Sequence, residues 1–271
     1  MIDLHCHLLP GIDDGARDLE TALAMARIAT DDGIEIVACT PHIYPGLYDN
    51  NAEGIRNAIA ALHDALRAAG NPLKLTVGAD THLVPEVVDG LRTGRIPSLN
   101  ATRYLLLEPP HHVAPPRFEM AVSNVRAAGY VPLITHPERL SWIEDHYEKF
   151  VALAHDGVWM QVTAGAVTGR FGRRPRYWAE RMLDEGLVHV LATDAHNTRS
   201  RPPLLAEGEH AASAFVGAEE ARRMVVDRPL AVLRNAAPDT LPAPPGLTPD
   251  AQERSRARAA RGGLFRRWFG G

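Results

Sequence analysis

Short apolar runs alternate with amphipathic stretches along most of this chain. The runs are rich in β-branched side chains, which predicts strands, and the apolar positions between them recur at helical spacing. Glycine follows the end of several helical stretches, as expected where a helix stops. The predicted strands are 2–5, 34–40, 73–78, 104–107, 131–135, 158–162 and 188–193, and the predicted helices include 18–32, 53–69, 117–128, 143–155 and 176–185.

Seven strands alternating with helices predict an α/β protein with a parallel sheet and crossover helices. For a chain of 271 residues, this pattern favours a distorted, closed or nearly closed (β/α)7 barrel of the TIM type over an open doubly wound sheet. The open sheet has no support from motifs, because the chain contains neither a Gly-x-Gly-x-x-Gly sequence nor a P-loop.

Composition narrows the class of protein. Hydrophobic residues make up 45% of the chain and charged residues 23%, which is typical of a globular domain. No apolar run approaches the roughly 20 residues of a transmembrane helix, and the first residues lack the basic and apolar regions of a signal peptide. Two cysteines are too few for a disulfide framework or a zinc finger. We therefore expect a cytoplasmic protein.

The formal net charge of −4 argues against a general nucleic-acid-binding function. This charge is unevenly distributed, because residues 238–271 contain six arginines and three acidic residues. That segment carries +3, which leaves −7 on residues 1–237. This difference in charge indicates that residues 1–237 and 238–271 are separate segments.

The hydrophobic pattern changes at the same point. A proline-rich stretch that cannot continue a helix or a strand ladder leads into an arginine-rich terminus. We expect a barrel domain at 1–237 and a linker with a flexible basic tail at 238–271. The apolar side chains near the terminus fall on one helical stripe beside arginines, which is typical of an interfacial helix. Weak contact with the inner face of a membrane is one expectation, and a solvated or partner-binding tail is the alternative.

Histidine and acidic residues follow six of the seven predicted strands. The carboxyl ends of the strands of a β/α barrel converge on one face, where active sites are built. Alternate residues of an extended chain point the same way, so both members of a His-x-His or Asp-x-His pair can enter the barrel mouth while Cys6 faces away. Imidazole and carboxylate without thiolate suit manganese, zinc or iron. The candidate ligands are His5, His7, His42, Asp80, Glu108, His136, Asp194 and His196, with Asp14 on the first loop.

Each of these positions also has an ordinary structural interpretation. A single His-x-His pair is often incidental, and Asp80 or Asp194 could cap a helix. A histidine or acidic residue follows six of the seven predicted strands, and one metal site explains this better than six unrelated structural roles. The other histidines, among them His82, are interpreted as surface or packing residues, although His111 and His112 follow Glu108 closely enough to line the mouth.

The motifs occur in the order found in the polymerase-and-histidinol-phosphatase (PHP) family, which the chain resembles over about residues 1–235. More narrowly, it resembles the bacterial manganese-dependent protein-tyrosine phosphatases of capsule and exopolysaccharide operons. The resemblance is carried by IDLHCH at 2–7, GIDDG at 11–15, TPH at 40–42, LLE ending at Glu108, THPER at 135–139, and TDAHN at 193–197 followed by RPP at 201–203.

The resemblance implies a distorted barrel that holds up to three ions, most readily Mn²⁺. The implied ligands are His5, His7 and Asp194 for one ion, Glu108 and His136 for a second, Asp80 as a bridge between them, and Asp14, His42 and His196 for a third. The family usually has Glu at position 80. Aspartate is one methylene shorter, which changes the reach of the expected bridge.

The chain lacks the Cys-x5-Arg motif, which excludes a cysteine-dependent phosphatase. It also lacks a Gly-x-Ser-x-Gly nucleophile elbow. Hydrolysis by a hydroxide bound to two or more divalent ions remains. Phosphate also needs positive charge, ideally a planar fork. Arg139 and Arg201 follow His136 and His196 closely enough to overhang the metals, and the resemblance assigns phosphate binding to both arginines. Asp194 or His196 is a candidate to protonate the leaving group.

We therefore expect a metal-dependent phosphomonoester hydrolase. The resemblance implies a protein-tyrosine phosphatase that acts on a bacterial tyrosine kinase in capsule or exopolysaccharide synthesis. Alternatives are a PHP-type small-molecule enzyme such as histidinol phosphatase, a phosphodiesterase or deacetylase on the same scaffold, and a non-catalytic, metal-loaded regulator of a kinase. No nucleic-acid partner is expected.

Overall fold

Parallel strand pairs form the centre of the fold in the computed structural model, which describes residues 1–251. The strands are β1 Ile2–Cys6, β2 Ile36–Cys39, β3 His42–Ile43, β4 Lys74–Val77, β5 Asp80–His82, β6 Tyr104–Glu108, β7 Val131–Thr135, β8 Trp159–Thr163 and β9 Val190–Ala192. The helices are α1 Leu19–Asp31, α2 Ala52–Ala68, α3 Val87–Arg92, α4 Phe118–Ala127, α5 Ile143–His155, α6 Ala164–Val167, α7 Arg173–Asp184, α8 Ala206–Val216, α9 Ala218–Arg222 and α10 Arg228–Leu233, with a π-helical turn at Arg223–Asp227.

The strands form a three-stranded sheet in the order β1-β2-β4 and a six-stranded sheet in the order β3-β5-β6-β7-β8-β9. The second and third predicted strands correspond to β2 and β4, and each is followed by a short strand, β3 or β5, that the sequence did not predict. Pro41, which has no amide hydrogen to donate, separates β2 from β3. Gly78 separates β4 from β5, and a Cβ at this position would lie 2.8 Å from Cγ2 of Thr40. The predicted α/β class with parallel strands is confirmed.

Backbone hydrogen bonds join the carboxyl ends of the first and last strands. The amide of Asp194 donates to the carbonyl of His5 at 2.8 Å, and the amide of His7 donates to the carbonyl of Ala195 at 2.9 Å. The amide of Thr40 likewise donates to the carbonyl of Cys6 at 3.0 Å. These bonds bring the strand ends that carry the predicted ligands into one ring.

Alternate residues of the strands enter two separate apolar layers. Tyr104, Leu106 and Leu133 belong to the inner cluster, whereas Leu105 and Leu107 pack in the larger cluster beneath the surrounding helices. Burial of such side chains stabilises the fold by about 1.5–3 kcal/mol each. Side chains of both sheets form the inner cluster, among them Leu4 of β1 and Leu106 of β6, so this cluster packs the two sheets together.

The proline-rich stretch after residue 237, as far as it is described, is hydrogen-bonded to residues of the preceding segment. The guanidinium of buried Arg228 donates to the carbonyl of Pro242 at 3.0 Å, and the amide of Gly246 donates to the carbonyl of Gly186 at 3.0 Å. A Cβ at Gly246 would lie 2.0 Å from the carbonyl oxygen of Glu185, so this contact requires glycine. The division of the chain at 237 stays a prediction.

The predicted interfacial helix near the terminus falls within 252–271, outside the described residues. Within residues 1–251, no helix combines the length and the apolarity needed to cross a bilayer.

Candidate metal centre

All nine predicted ligand residues meet above the carboxyl ends of the strands. His5 lies on β1, Asp80 on β5 and Glu108 at the end of β6. His136 directly follows β7, and Asp194 lies two residues after the end of β9. Their ligand atoms fall into overlapping groups whose members lie within 4.8 Å of one another. The groups are His7–Asp14–His42–His196, His5–His7–Asp80, His5–His136–Asp194, Glu108–His111–His136 and His42–Asp80–Glu108.

Asp80 lies at the centre of this arrangement. Its Oδ2 atom is 3.4 Å from Nε2 of His5, 3.5 Å from Nδ1 of His42 and 4.0 Å from Nε2 of His136. The carboxylate is fully buried, and neither of its oxygens has a hydrogen-bond partner within residues 1–251. Burial of a carboxylate without hydrogen bonds costs free energy unless a positive charge lies beside it. The shorter side chain thus still reaches atoms of more than one ligand group.

His5 and His7 point ring nitrogens at each other, with Nε2 atoms 3.1 Å apart. The opposite nitrogens are held by other residues: Nδ1 of His5 donates to Oε1 of Gln161 at 2.9 Å, and Nδ1 of His7 to Oδ2 of Asp13 at 2.7 Å. Both Nε2 atoms therefore face the same space, where an ion that replaces a proton can bind them. Ligand atoms that share an ion at 2.0–2.2 Å lie about 3 Å apart, which this spacing matches.

The ligand set that the resemblance implies for a third ion is also brought together. Oδ1 of Asp14 lies 3.4 Å from Nε2 of His42 and 3.3 Å from Nε2 of His196. His7 joins the same group, because its ring centroid is 3.9 Å from that of His196. His7 thus lies between two ligand groups.

Two histidines beside Glu108 extend the set. Nε2 of His111 is 3.2 Å from Oε1 of Glu108, and Nδ1 of His82 is 3.5 Å from Oε2. His111 was expected at most to line the mouth. His82, interpreted from the sequence as a surface or packing residue, is buried beside the predicted ligand Glu108. The signal was present, since His82 lies two residues after Asp80 on the same strand and therefore on the same face.

Electrostatic interactions keep the central groups ready for a cation. Burial lowers the pKa of His5, but the charges of Asp80 and Asp194 outweigh it and raise the pKa to about 9. Positive charge at this nitrogen is therefore favoured, and a divalent ion supplies it as a proton would. Burial raises the pKa of Asp194, but Arg201, His5 and Arg139 together hold it well below its usual range. Asp194 is thus a carboxylate, the form that a ligand needs.

The two predicted phosphate-binding arginines converge on this carboxylate. Arg139 and Arg201 each donate a hydrogen bond to Oδ2 of Asp194. Their side chains remain partly exposed toward the mouth of the site. Two guanidinium groups on one oxygen place a concentrated positive charge at the edge of the ligand cluster.

Two of the predicted ligand residues have a strained backbone. His136 has φ of 35° and Asp194 has φ of 49°, in the left-handed region that costs a residue with a Cβ about 1–3 kcal/mol. Neighbouring strands hold both conformations: the amide of His136 donates to the carbonyl of Gln161 at 2.9 Å, and that of Asp194 to His5. Strain of this kind persists where the surrounding structure directs a side chain into a functional site.

The cysteines stay outside the chemistry. Cys6 and Cys39 are buried, and burial raises the pKa of both thiols above the usual value. Neither is a thiolate near neutral pH, as nucleophilic attack would require. The donor set therefore consists of imidazole nitrogens and carboxylate oxygens, which fits manganese, zinc or iron.

A cluster of this composition above parallel β/α strands defines a metal-dependent hydrolase of the barrel type. The chain matches the family model "Capsular polysaccharide synthesis, CpsB/CapC" over residues 1–234 and belongs to this family. The predicted resemblance is thereby confirmed.

Relatives of known name are tyrosine-protein phosphatases. The chain is 35% identical over 201 residues to the tyrosine-protein phosphatase YwqE of Bacillus subtilis, covering 74% of this chain and 79% of the relative. It is 28% identical over 245 residues to the tyrosine-protein phosphatase CpsB of Streptococcus agalactiae, covering 87% and 99%.

A solved structure of such a phosphatase also resembles this chain. A crystal structure from a study of YwqE from Bacillus subtilis and CpsB from Streptococcus pneumoniae, described as unique metal-dependent tyrosine phosphatases, superposes with a TM-score of 0.83. That match has 33% identity and covers 88% of this chain and 96% of the other. A probable 2-pyrone-4,6-dicarboxylic acid hydrolase from Acinetobacter baumannii, at 15% identity and a TM-score of 0.51, shares the fold.

Proposed function

We propose that this protein is a metal-dependent protein-tyrosine phosphatase. The observation that carries the proposal is the convergence of Arg139 and Arg201 on Asp194 at the edge of a cluster of metal-ligand side chains. Guanidinium forks bind phosphate oxygens in two-point contacts, so this edge is where a phosphate would lie. The relatives described above support phosphotyrosine as the substrate group.

We propose Mn²⁺ as the physiological metal, held by the nine residues that the sequence predicts. When bound, divalent ions supply an activated water and polarise the phosphoryl oxygen. Asp80, His5 and His7 hold the buried side of the cluster, and Asp14 and His42 hold the side toward the solvent. Arg139 and Arg201 bind and orient the phosphate oxygens that face away from the ligands.

The protonation states favour ligand roles for the two candidate proton donors. Asp194 is held as a carboxylate, and burial together with the charge of His7 lowers the pKa of His196 to about 4. Both are therefore unprotonated near neutral pH. A tyrosyl leaving oxygen has a pKa of about 10, so it departs more readily without a proton than a serine alkoxide does. A site without a stored proton therefore suits an aryl ester.

The mouth of the site also suits an aryl ester on a protein. A cavity of about 570 Å³ joins the ligand cluster to apolar side chains of two loops. Leu47 on one loop is 62% exposed and Val113 on the other is 69% exposed. Tyr44 and Tyr48, beside Leu47, stack on His82 and His42. Apolar side chains at the rim would provide contacts for a tyrosyl ring that small alkyl phosphates cannot use.

A direct test is hydrolysis of p-nitrophenyl phosphate with added Mn²⁺, followed by phosphotyrosyl peptides compared with histidinol phosphate. We expect activity that EDTA abolishes and a preference for the peptides. His136→Ala should lower kcat by at least about 10²-fold while the circular dichroism spectrum stays unchanged. His63→Ala, at an exposed histidine of α2, is the control. Full activity of His136→Ala would refute the metal assignment, and a preference for histidinol phosphate would indicate a small-molecule phosphatase.

We further propose a phosphorylated bacterial tyrosine kinase as the protein substrate and the cytoplasm as the location, with no nucleic-acid partner. The basic segment 252–271 would add weak contact with an anionic membrane surface. Deleting residues 262–271 should then reduce co-sedimentation with anionic liposomes at low salt and leave p-nitrophenyl phosphate hydrolysis intact. Unchanged co-sedimentation would refute the membrane contact.

A further inference from the structure

Of the seven predicted strands, the one corresponding to β8 carries no predicted ligand. The turn that follows β8 and α6 instead brings an aromatic side chain to the two arginines of the site. The short helix α6 follows β8 directly, and a turn between Gly169 and Gly172 then presents Phe171. Both glycines have positive φ, of 85° and 91°, so the turn depends on them. Phe171 is half-buried and packs against the edge of the main core.

The ring of Phe171 lies beneath both phosphate-binding arginines. Cζ of Arg139 is 4.5 Å from the ring centroid and Cζ of Arg201 is 5.9 Å from it. Both distances fall within the roughly 6 Å over which a guanidinium is attracted to an aromatic face. The negative face of the ring thus offsets part of the repulsion between two like charges that meet at Asp194.

The arginines have few other contacts that would fix their orientation. Within residues 1–251, the hydrogen bonds of both side chains go to Asp194, and Nε of Arg201 is buried without a partner. A phosphate that enters the site competes with Asp194 for the same donors. The contact with Phe171 does not use these donors, so it persists when the hydrogen bonds change.

The backbone of α6 reserves the space for this ring. A Cβ at Gly165 would lie 2.9 Å from Cε2 of Phe171 and 3.5 Å from Cβ of Arg170. A contact of 2.9 Å is closer than real Cβ atoms approach, so any larger residue at 165 displaces the ring. The position of Phe171 beneath the arginines is therefore built into the fold.

We propose that Phe171 is a positioning residue that aligns Arg139 and Arg201 as a pair to receive the phosphate of the substrate. This inference rests on the proposed phosphatase function. Both arginines contact phosphate in the bound ester and in the transition state, so misalignment weakens both states and appears mainly in KM.

The test uses the full-length protein loaded with Mn²⁺ and p-nitrophenyl phosphate as substrate. Phe171→Leu should raise KM, and the inhibition constant of inorganic phosphate, by about fivefold or more, with kcat within about twofold. Phe171→Trp, which keeps an aromatic face, should restore both constants toward the wild-type values. The Mn²⁺ concentration for half-maximal activity should stay the same. Phe215→Leu, at an exposed phenylalanine of α8, is the matched control.

A second variant tests whether the effect of Phe171→Leu comes from the ring's position beneath the arginines and not from a loss of packing. Gly165→Ala should displace the ring and raise KM in the same way, and adding it to Phe171→Leu should raise KM little further, because the two changes act on one contact. Wild-type KM and phosphate inhibition in Phe171→Leu, beside an active wild-type enzyme, would overturn this inference alone. A wild-type protein that neither binds phosphate nor hydrolyses phosphomonoesters would overturn the proposed function and this inference with it.

Discussion

Oε1 of Gln161 lies 2.9 Å from Nδ1 of His5 in the buried centre of the protein. The glutamine oxygen accepts a hydrogen bond from Nδ1–H, so Nε2 is the nitrogen that faces the predicted metal-ligand cluster. The two residues are 156 positions apart in the chain, and they belong to different sheets. β8 therefore contributes to the site through the orientation of a ligand.

Removal of this contact should weaken metal binding. Gln161→Leu keeps the volume of the side chain and removes the acceptor, so we expect the apparent Kd for Mn²⁺ to rise about 10- to 100-fold. The measurement is an isothermal titration of the metal-free protein with MnCl2. Gln161→Glu, which keeps an acceptor oxygen in place, is the matched comparison and should bind more tightly than Gln161→Leu. Identical titrations of Gln161→Leu and the wild type would show that the contact has no part in orienting His5.

The length of residue 80 should determine how much manganese the enzyme requires. Oδ2 of Asp80 lies 3.4 to 4.0 Å from three imidazole nitrogens, and one more methylene would extend its reach toward them. Asp80→Glu should therefore retain activity and lower the Mn²⁺ concentration for half-maximal activity. Asp80→Asn, of the same size but less charged, should raise it. A metal titration that Asp80→Glu leaves unmoved would mean that side-chain length at this position has no effect on the metal.

The apolar rim should discriminate between aryl and alkyl esters. Leu47→Ser and Val113→Ser remove exposed apolar contacts without touching a ligand residue. We expect kcat/KM to fall about threefold to tenfold for a phosphotyrosyl peptide and to change little for glycerol 2-phosphate. Met120→Ser, at an exposed methionine of α4, is the control. An equal loss on both esters would contradict a role in selecting the aryl group.

Acid should destabilise the fold through His189. This buried ring stacks on Trp159 at 5.0 Å, and its Nδ1 accepts a hydrogen bond from the amide of Met160. Burial, with the charge of Arg228, lowers its pKa to about 3, against 6.5 for an unperturbed histidine. Between these two values the unfolded chain binds a proton that the folded chain excludes, so stability falls as the pH falls.

The size of this effect follows from the pKa difference. From pH 7.5 to pH 5 the group should contribute a loss of about 2 kcal/mol in the free energy of unfolding. His189→Asn, whose amide oxygen can accept the same hydrogen bond, should lower stability at neutral pH and flatten this dependence. Urea unfolding at several pH values measures the slope, with His63→Asn as the exposed control. A slope in His189→Asn as steep as in the wild type would assign the acid sensitivity to other groups.

The sequence by itself determined the fold class and which candidate ligand residues meet at one face. The alternation of apolar runs and amphipathic stretches predicts the parallel β/α pattern, because each type of element has its own hydrophobic period. The ligand positions were predictable for a geometric reason: parallel strands bring their carboxyl ends to one face, so a residue such as His136 or Glu108 is placed by its position after a strand.

Only the tertiary structure decided which residues support that cluster. Gln161 and Phe171 have no distinctive spacing in the chain, and each contacts a predicted ligand or an arginine from another element. The short strands β3 and β5 were also not predicted, because two and three residues are too few to show a hydrophobic period. Hydrophobic periodicity records which way a side chain faces along its own element. It contains no information on which atom from another element lies 3 to 5 Å away, and those contacts set the direction of each ligand and the pairing of the arginines.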